Sequence, residues 1–179
     1  MVQPAVNYTP LTPLSFLVRS AYVFPEKTAV VYKDTRYTYR QLRQRVNRCA
    51  TALQAAGVTP GDRVAFLCPN IPPMLEAHYS VPLAGGVLVP INTRLSASEI
   101  AYILQHSGAK VLCVDTELAD LIRPIRTQLP QLETIINIVD GAPGEGLVGP
   151  DYETFLASGT DERLDKPVED ENAPISLNY

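Results

Sequence analysis

The chain has 179 residues, of which 46% are hydrophobic and 19% charged, and its formal net charge is −4. This length and hydrophobic content suffice for one globular domain with its own core, which excludes an intrinsically disordered chain. No apolar run approaches the roughly 18 residues of a membrane-spanning helix, and no signal peptide is recognisable. The acidic balance provides no general attraction for nucleic acid. Three cysteines, an odd number, do not make a disulfide framework, so we expect a reduced, cytoplasmic protein.

The first sixty residues predict a helix, a β-hairpin and a second helix. Thr12-Pro13 supplies a cap and an N-terminal proline for the first helix. Lys33-Asp34-Thr35 is typical of the turn of a short hairpin. Thr38 and Gln41 match a capping box, in which each side chain satisfies a backbone donor of the second helix. Gly57 suits the position just after the end of that helix.

Four short runs rich in Val, Ile and Leu follow, and their starts lie 23 or 24 residues apart. This spacing is typical of buried parallel strands joined by crossover helices. The runs are Arg63–Cys68, Val87–Ile91, Lys110–Val114 and Thr134–Val139. The pattern predicts an α/β fold with a doubly wound, mainly parallel sheet and flanking helices.

Three helices are expected between these strands. They cover Met74–Ala84, a segment that begins with a capping box at Ser96, and Glu117–Gln128. Pro82 and Pro124 should shorten, bend or break the first and the last of them, because proline lacks the backbone donor that a helix interior needs.

The regular pattern ends after Asp140. Residues 141–174 are predicted to be a loop and an acidic connector, with a short helix over Asp151–Ala157. An apolar, strand-like run resumes at Ile175. We therefore divide the chain into a helix–hairpin–helix segment (residues 1–60), a βα-repeat core (61–140), the loop and connector (141–174), and the start of a truncated core strand (175–179).

No complete catalytic or metal-binding set is recognisable. The sequence contains no GxGxxG or GxxxxGK[ST] phosphate turn and no GxSxG nucleophile elbow. His78 and His106 are far apart and too few for a zinc site, so we interpret both as structural. Cys49, Cys68 and Cys113 fall on an apolar helix face or in strands and should be inert core residues. We predict no catalytic residue and no metal ligand.

Residues 33–48 are strongly basic, with six lysines and arginines against a single acid, Asp34. This composition is typical of a solvated helix face that balances acidic surface elsewhere. It also fits a patch that contacts an anionic partner: a membrane surface, a nucleotide tail or a neighbouring domain. Both interpretations stay open at this point, so there is room for a peripheral membrane contact.

Segments along nearly the whole chain resemble, in order and spacing, the AMP-forming acyl-CoA synthetases. This is the adenylate-forming family that includes luciferases and peptide-synthetase adenylation domains. The matching segments are Phe16–Ala21, Phe24–Val30, Tyr37–Leu42, Gly61–Ala65, Pro69-Asn70, Glu76–Tyr79, Val81–Leu95 and Leu177–Tyr179. The resemblance implies part of the N-terminal domain of the adenylate-forming ligase fold.

The resemblance also implies a reaction. ATP and a carboxylic acid would give an acyl-adenylate and pyrophosphate, and the thiol of coenzyme A would then displace AMP; Mg²⁺ would neutralise phosphate charge. The match is nearest to members that activate short- or medium-chain fatty or related acids. In similar proteins the phosphate loop and the mobile C-terminal domain lie downstream of Tyr179. We therefore expect an N-terminal fragment that is inactive alone and binds no ATP, CoA or Mg²⁺.

Few site residues carry over from the family. Tyr179 matches a tyrosine that opens the loop around the ATP phosphates, and so becomes the one candidate cofactor-binding residue. Asn92 and Arg94 match a turn after the second core strand, where they have either a structural role or a substrate contact.

Two further expectations concern the chain by itself. Because the sheet would be cut beside a strand, the isolated chain should self-associate. The alternative to a synthetase fragment is a free-standing α/β binding or interaction module without catalysis, or else an unrelated α/β domain of another enzyme.

Overall fold

The protein is represented by a computed structural model that describes residues 10–141, 144–162, 164 and 170–179. Parts of the predicted first segment (residues 1–9), loop (142 and 143) and acidic connector (163 and 165–169) lie outside the described residues. The elements, in chain order, are α1 (Pro13–Val23), β1 (Thr28–Tyr32), β2 (Thr35–Thr38), α2 (Tyr39–Ala55), β3 (Arg63–Leu67), α3 (Pro72–Ala84), β4 (Val87–Pro90), α4 (Ala97–Ser107), β5 (Val111–Asp115), α5 (Ala119–Ile122), β6 (Thr134–Ile138) and α6 (Tyr152–Ser158).

The four predicted strands form one parallel sheet in the order β4-β3-β5-β6. Side chains alternate between the two faces of each strand, so both faces need a cover. In β3, Phe66 points into a core formed with α2, α3 and α6. Its neighbours Ala65 and Leu67 point into a second core, formed with α4 and α5. This three-layer arrangement confirms the predicted doubly wound α/β fold.

The β1–β2 hairpin and α1 lie outside this sandwich, against α2 and α3. They pack in a smaller cluster around Leu17, Val30, Leu42 and Val46. The hairpin turn is tighter than predicted, because β2 begins at Thr35 and leaves only two residues in the turn. Lys33 in this turn adopts a φ of 47°. No helix in the described part of the chain is long and apolar enough to cross a membrane.

The two predicted proline effects have different outcomes. α3 is not broken at Pro82 but continues to Ala84, because a proline in the last turn removes few of the remaining helical hydrogen bonds. It also begins two residues earlier than predicted, since prolines are tolerated in the first turn. The segment Glu117–Gln128 is broken as predicted: four residues of α5 stand between 3₁₀ turns at Thr116–Leu118 and Arg123–Gln128.

A buried ion-pair network joins three helices on one side of the sheet. Glu76 of α3 is fully buried, and Arg45 of α2 donates to it from Nε at 2.6 Å. Both η-nitrogens of Arg45 also donate to Glu153 of α6, at 2.8 and 2.6 Å. The Tyr152 hydroxyl donates to Glu76 Oε2 at 2.9 Å. Burial raises the pKa of Glu76 despite its partners. We call Arg45, Glu76, Tyr152 and Glu153 the Arg45 network.

A second ion pair lies where β3 and β5 begin. The Asp62 carboxylate accepts a hydrogen bond from Lys110 Nζ at 2.8 Å and two from the amide and hydroxyl of Thr59. The Lys110 contact, with the Thr59 bonds, lowers the pKa of Asp62 to about 2.

The Asp62 contacts predict a pH dependence of stability. A carboxylate with a lowered pKa stabilises the fold above its unfolded pKa near 4, and this contribution is lost as the pH falls through the folded value. From the shift we expect Asp62→Asn to lose about 2 kcal/mol of unfolding free energy at pH 7 and little at pH 2. Urea unfolding across pH 2–7 measures this, with exposed Glu133→Gln as control. Equal deficits at both ends of the range would contradict the assignment.

Candidate functional site

The carboxyl ends of the parallel strands lie at one edge of the sheet. In doubly wound folds ligands bind at this edge, near the strand from which successive connections leave in opposite directions. Here that strand is β3, because β4 lies on one side of it and β5 on the other. The switch point therefore lies between β3 and β5, so the segments that follow these two strands border the expected ligand position.

A cleft opens at this edge between the hairpin, α3 and the end of β4. Two adjoining parts, of about 560 and 480 Å³, share the lining residues Asn70, Met74 and His78. We call this the edge cleft. The larger part is walled by apolar side chains of β1 and α3. The smaller part adds the residues after β4, including Asn92 and Thr93. An apolar cleft with a few polar groups is typical of a small-molecule site.

His78 lies in the wall of both parts of the edge cleft. Its Nδ1 stands 2.8 Å from the carbonyl oxygen of Met74, one helical turn earlier. A carbonyl oxygen only accepts, so Nδ1 must carry a proton and donate it. In the neutral ring Nε2 is then left as an acceptor. The contact with Met74 therefore uses one ring nitrogen of His78. The other nitrogen, Nε2, is free to accept a hydrogen bond from a bound molecule.

Asn92 and Arg94 form the turn that the sequence suggested. The Asn92 side-chain oxygen accepts a hydrogen bond from the Arg94 amide at 3.0 Å, and Leu95 donates to the Asn92 carbonyl. Asn92 makes this turn without a left-handed backbone, because among the described non-glycine residues only Lys33 has a positive φ. Asn92 borders the edge cleft and Arg94 is exposed beside it.

Tyr179 lies away from the other two predicted residues. Its hydroxyl is 2.8 Å from His106 Nδ1, and the two rings meet edge to face. His106 also stacks on Tyr102. Because α4 runs from the end of β4 back to the start of β5, its last turn lies at the amino edge of the sheet. The structure thus brings Asn92 and Arg94 together and places Tyr179 near the opposite edge.

The route to Tyr179 follows the outer edge of β4. The Leu88 amide donates to the Ile175 carbonyl at 3.0 Å, and the Leu177 amide donates to the Leu88 carbonyl at 2.8 Å. Residues 175–177 therefore run parallel to β4.

The hairpin wall of the edge cleft is anchored to the sheet by Asp140. Tyr32 donates from its hydroxyl to Asp140 Oδ2 at 2.6 Å, and Lys33 Nζ bonds to the same oxygen at 3.0 Å. The hydrogen bond to Asp140 raises the pKa of both Tyr32 and Lys33. These contacts hold the end of β1 close to the carboxyl edge of the sheet.

The chemistry of the edge cleft favours an apolar group held by a few hydrogen bonds. Its lining contains no lysine or arginine that could neutralise a polyphosphate. Within residues 10–141, 144–162, 164 and 170–179, no three His, Cys, Asp or Glu side chains are grouped to hold a metal ion. The described residues therefore do not form a binding site for Mg²⁺.

The three cysteines are free and buried, as predicted. Burial raises the pKa of Cys49 to about 11 and that of Cys68 to about 12, so neither is a thiolate at neutral pH. Sequence reasoning missed Asn70 and Met74 as lining residues. Their position directly after a buried parallel strand is the signal that could have identified them.

Comparison with known proteins identifies the family. A model of the AMP-binding enzyme family matches residues 17–179. The chain belongs to the AMP-binding enzyme family. This membership confirms the resemblance to AMP-forming synthetases that the sequence segments carry.

Two curated relatives of this chain are CoA ligases. A peroxisomal butyrate–CoA ligase of Arabidopsis thaliana is 39% identical over 184 residues, which cover 97% of this chain and 32% of the relative. A 4-hydroxybutyrate–CoA ligase of Metallosphaera sedula is 39% identical over 176 residues, 96% of this chain and 32% of its own length. The chain thus spans about a third of the length of these relatives.

Solved structures of the same kind share the fold. An anthranilate–CoA ligase in complex with anthranoyl-AMP superposes with a TM-score of 0.87 at 30% identity, over 96% of this chain and 32% of that protein. A fatty acyl-CoA synthetase of Mycobacterium tuberculosis superposes with a TM-score of 0.77 at 33% identity, over 93% of this chain and 32% of that protein.

Proposed function

We propose that this chain is the N-terminal part of an ATP-dependent acyl-CoA synthetase. The observation that carries the proposal is the match of the family model across residues 17–179. It is supported by relatives that are named as ligases of butyrate, acetate and 4-hydroxybutyrate with CoA. By analogy with these relatives, the substrate is a short- or medium-chain fatty or related carboxylic acid.

The proposed reaction makes a poor electrophile reactive. A carboxylate oxygen attacks the α-phosphorus of ATP and pyrophosphate leaves, which gives the acyl-adenylate. The sulfur of CoA then attacks the acyl carbon, its proton is lost, and AMP leaves with the bonding electrons of the acyl–oxygen bond. The role proposed for this chain is to provide the rigid sheet and the edge cleft beside which these groups are positioned.

The activity belongs to the full-length protein in this proposal. We expect full-length protein with ATP, CoA, Mg²⁺ and a panel of acids from acetate to dodecanoate, benzoate included, to release AMP and pyrophosphate in an acid-dependent manner. The chain of residues 1–179 alone should release neither, because its relatives are about three times as long. Mass spectrometry of the acyl-CoA product identifies the acid. Failure of every acid would refute the proposal.

The site residues form part of the same proposal. Tyr179 would border the loop around the ATP phosphates in the full-length protein, and the Asn92–Arg94 turn would contact the substrate side. In the assay above we expect Arg94→Ala to lower kcat/KM for the acid roughly tenfold. Arg48→Ala, which removes an exposed arginine from α2, is the control. Equal values for the two variants would assign Arg94 no role.

Three other features stay within the proposal. The division at residues 60, 140 and 174 describes successive parts of one larger domain.

Self-association of the isolated chain is expected from the large apolar side chains it exposes, and sedimentation at several concentrations tests it. A cytoplasmic location is consistent with three free cysteines, and fluorescence microscopy of the tagged full-length protein decides between cytoplasm and the peroxisome named for some relatives.

A further inference from the structure

Charge is distributed very unevenly along the chain. Residues 1–48 contain eight lysines and arginines and two acids, whereas residues 49–179 contain seven and seventeen. The first part therefore carries a net charge of +6 and the rest −10. The positive part includes α1 and the hairpin, which lie outside the three-layer sandwich, and most of α2, against which they pack.

The outer face of α1 is apolar. The helix buries Leu17 and Ala21 on its inner face, and its solvent face should then carry polar side chains. Instead, Phe16 is 59% exposed and Tyr22 is 83% exposed. The other large exposed side chains on and just after this helix are Val18, Val23 and Phe24. Such a face is typical of a helix that is covered on both sides.

Cations border this apolar face. Lys27 Nζ lies 5.5 Å from the centre of the Phe24 ring. Arg40 and Arg43 line a cleft of about 370 Å³ between α1 and α2, together with Tyr22.

The pairing of these cations leaves a positive surface. Arg40 forms an exposed ion pair with Glu26 at 2.5 Å, while Arg43 has no carboxylate within pairing distance among the described residues. The acids that face this surface are Glu26 and Asp161. Arg19, on α1 itself, adds a further exposed cation.

We propose that this face, defined by Phe16, Arg19, Tyr22, Phe24, Lys27, Arg40 and Arg43 and called the α1 surface, binds an anionic phospholipid bilayer. Exposed aromatic rings flanked by lysine and arginine are the composition of interfacial helices that lie flat in the headgroup region. The α1 surface has four cations, and only two acids face it, Glu26 and Asp161, so its net charge is positive and complements the negative charge of such a bilayer.

The α1 surface fits a bilayer better than it fits the nucleotide tail that was also considered for this region. A nucleotide tail would use the arginines but would leave the exposed rings of Phe16 and Phe24 uncovered. A lipid surface engages both kinds of group at once, because rings enter the interface while cations stay at the headgroups.

Vesicle cosedimentation of the full-length protein tests the proposal. We expect binding to phosphatidylcholine vesicles with about 30% phosphatidylserine to be at least roughly tenfold stronger than to pure phosphatidylcholine, and to weaken as salt is raised. Tyr22→Ser and Arg43→Gln should each reduce binding several-fold. The matched control, Arg123→Gln, removes a cation next to α5 on the opposite face of the sheet and should leave binding unchanged.

Each alternative has its own signature. Acyl-CoA synthetase activity, equal in all three variants, shows that they are folded and keeps this test separate from the proposed function. No vesicle binding, or equal binding to neutral vesicles, overturns the proposal. So does a concentration-dependent dimer that Tyr22→Ser abolishes in the absence of lipid, because a second copy would then be the occupant.

Discussion

Replacing Arg45 by methionine is expected to lower the free energy of unfolding by about 3–5 kcal/mol. The substitution leaves Glu76, which is fully buried in α3, with the Tyr152 hydroxyl as its remaining side-chain donor among the described residues. A buried carboxylate without its cation must either stay charged at high cost or take up a proton. For a chain of this size the loss corresponds to a fall in Tm of about 10 °C. Urea unfolding and thermal scans measure both quantities.

Two variants separate the buried charge from simple loss of contacts. Glu153→Gln removes an exposed partner of Arg45 and should change stability by less than about 1 kcal/mol. The double variant Arg45→Met/Glu76→Leu removes both buried charges and should recover most of the loss.

The pH dependence of the Arg45→Met variant gives a further check. The pKa of Glu76 is already raised by burial, and losing Arg45 raises it further. The folded state then binds a proton more readily than the unfolded one, so its stability increases as the pH falls. The deficit of the variant should therefore shrink from pH 7 towards pH 4. A deficit that is constant with pH would mean that Glu76 is not the source of the instability.

The second large effect is expected at the centre of the sheet. Phe66 of β3 is completely buried among side chains of α2, α3 and α6. Phe66→Ala should lower the free energy of unfolding by about 3–5 kcal/mol, because it removes apolar contacts and leaves a cavity in a close-packed core. Phe16→Ala, at an exposed position of α1, is the matched control and should change stability by less than about 0.5 kcal/mol. Similar losses in both variants would contradict the burial that separates them.

Local signals in the sequence were sufficient to predict most of the helices and strands. The runs around Phe66 and Leu112 read as parallel strands, because both faces of each strand are buried and no alternation is needed. Thr38 and Gln41 are three residues apart, so their reciprocal hydrogen bonds follow from the sequence motif alone. The Asn92 turn is also predictable from neighbouring residues, because its side-chain oxygen accepts a hydrogen bond from the amide of Arg94, two residues later.

Interactions between distant residues were not predictable in this way. Glu76 is the only carboxylate in α3, and its partners Arg45 and Tyr152 are 31 and 76 residues away in sequence. The contact of Tyr179 with His106 spans 73 residues. The edge cleft depends on how far the hairpin reaches over the sheet, which the Tyr32–Asp140 hydrogen bond fixes across 108 residues. Hydrophobic periodicity carries no information about such pairs.

The Arg45 network also determines how the molecule opens. A helix of seven residues at the surface, such as α6, ordinarily frays at little cost in free energy. Here its departure would remove the Tyr152 hydroxyl from Glu76 and the Glu153 carboxylate from Arg45. It would also expose Phe155 and Leu156 to water. Opening of α6 therefore costs more free energy than the fraying of an ordinary surface turn, and the stability of α6 is coupled to that of α2 and α3.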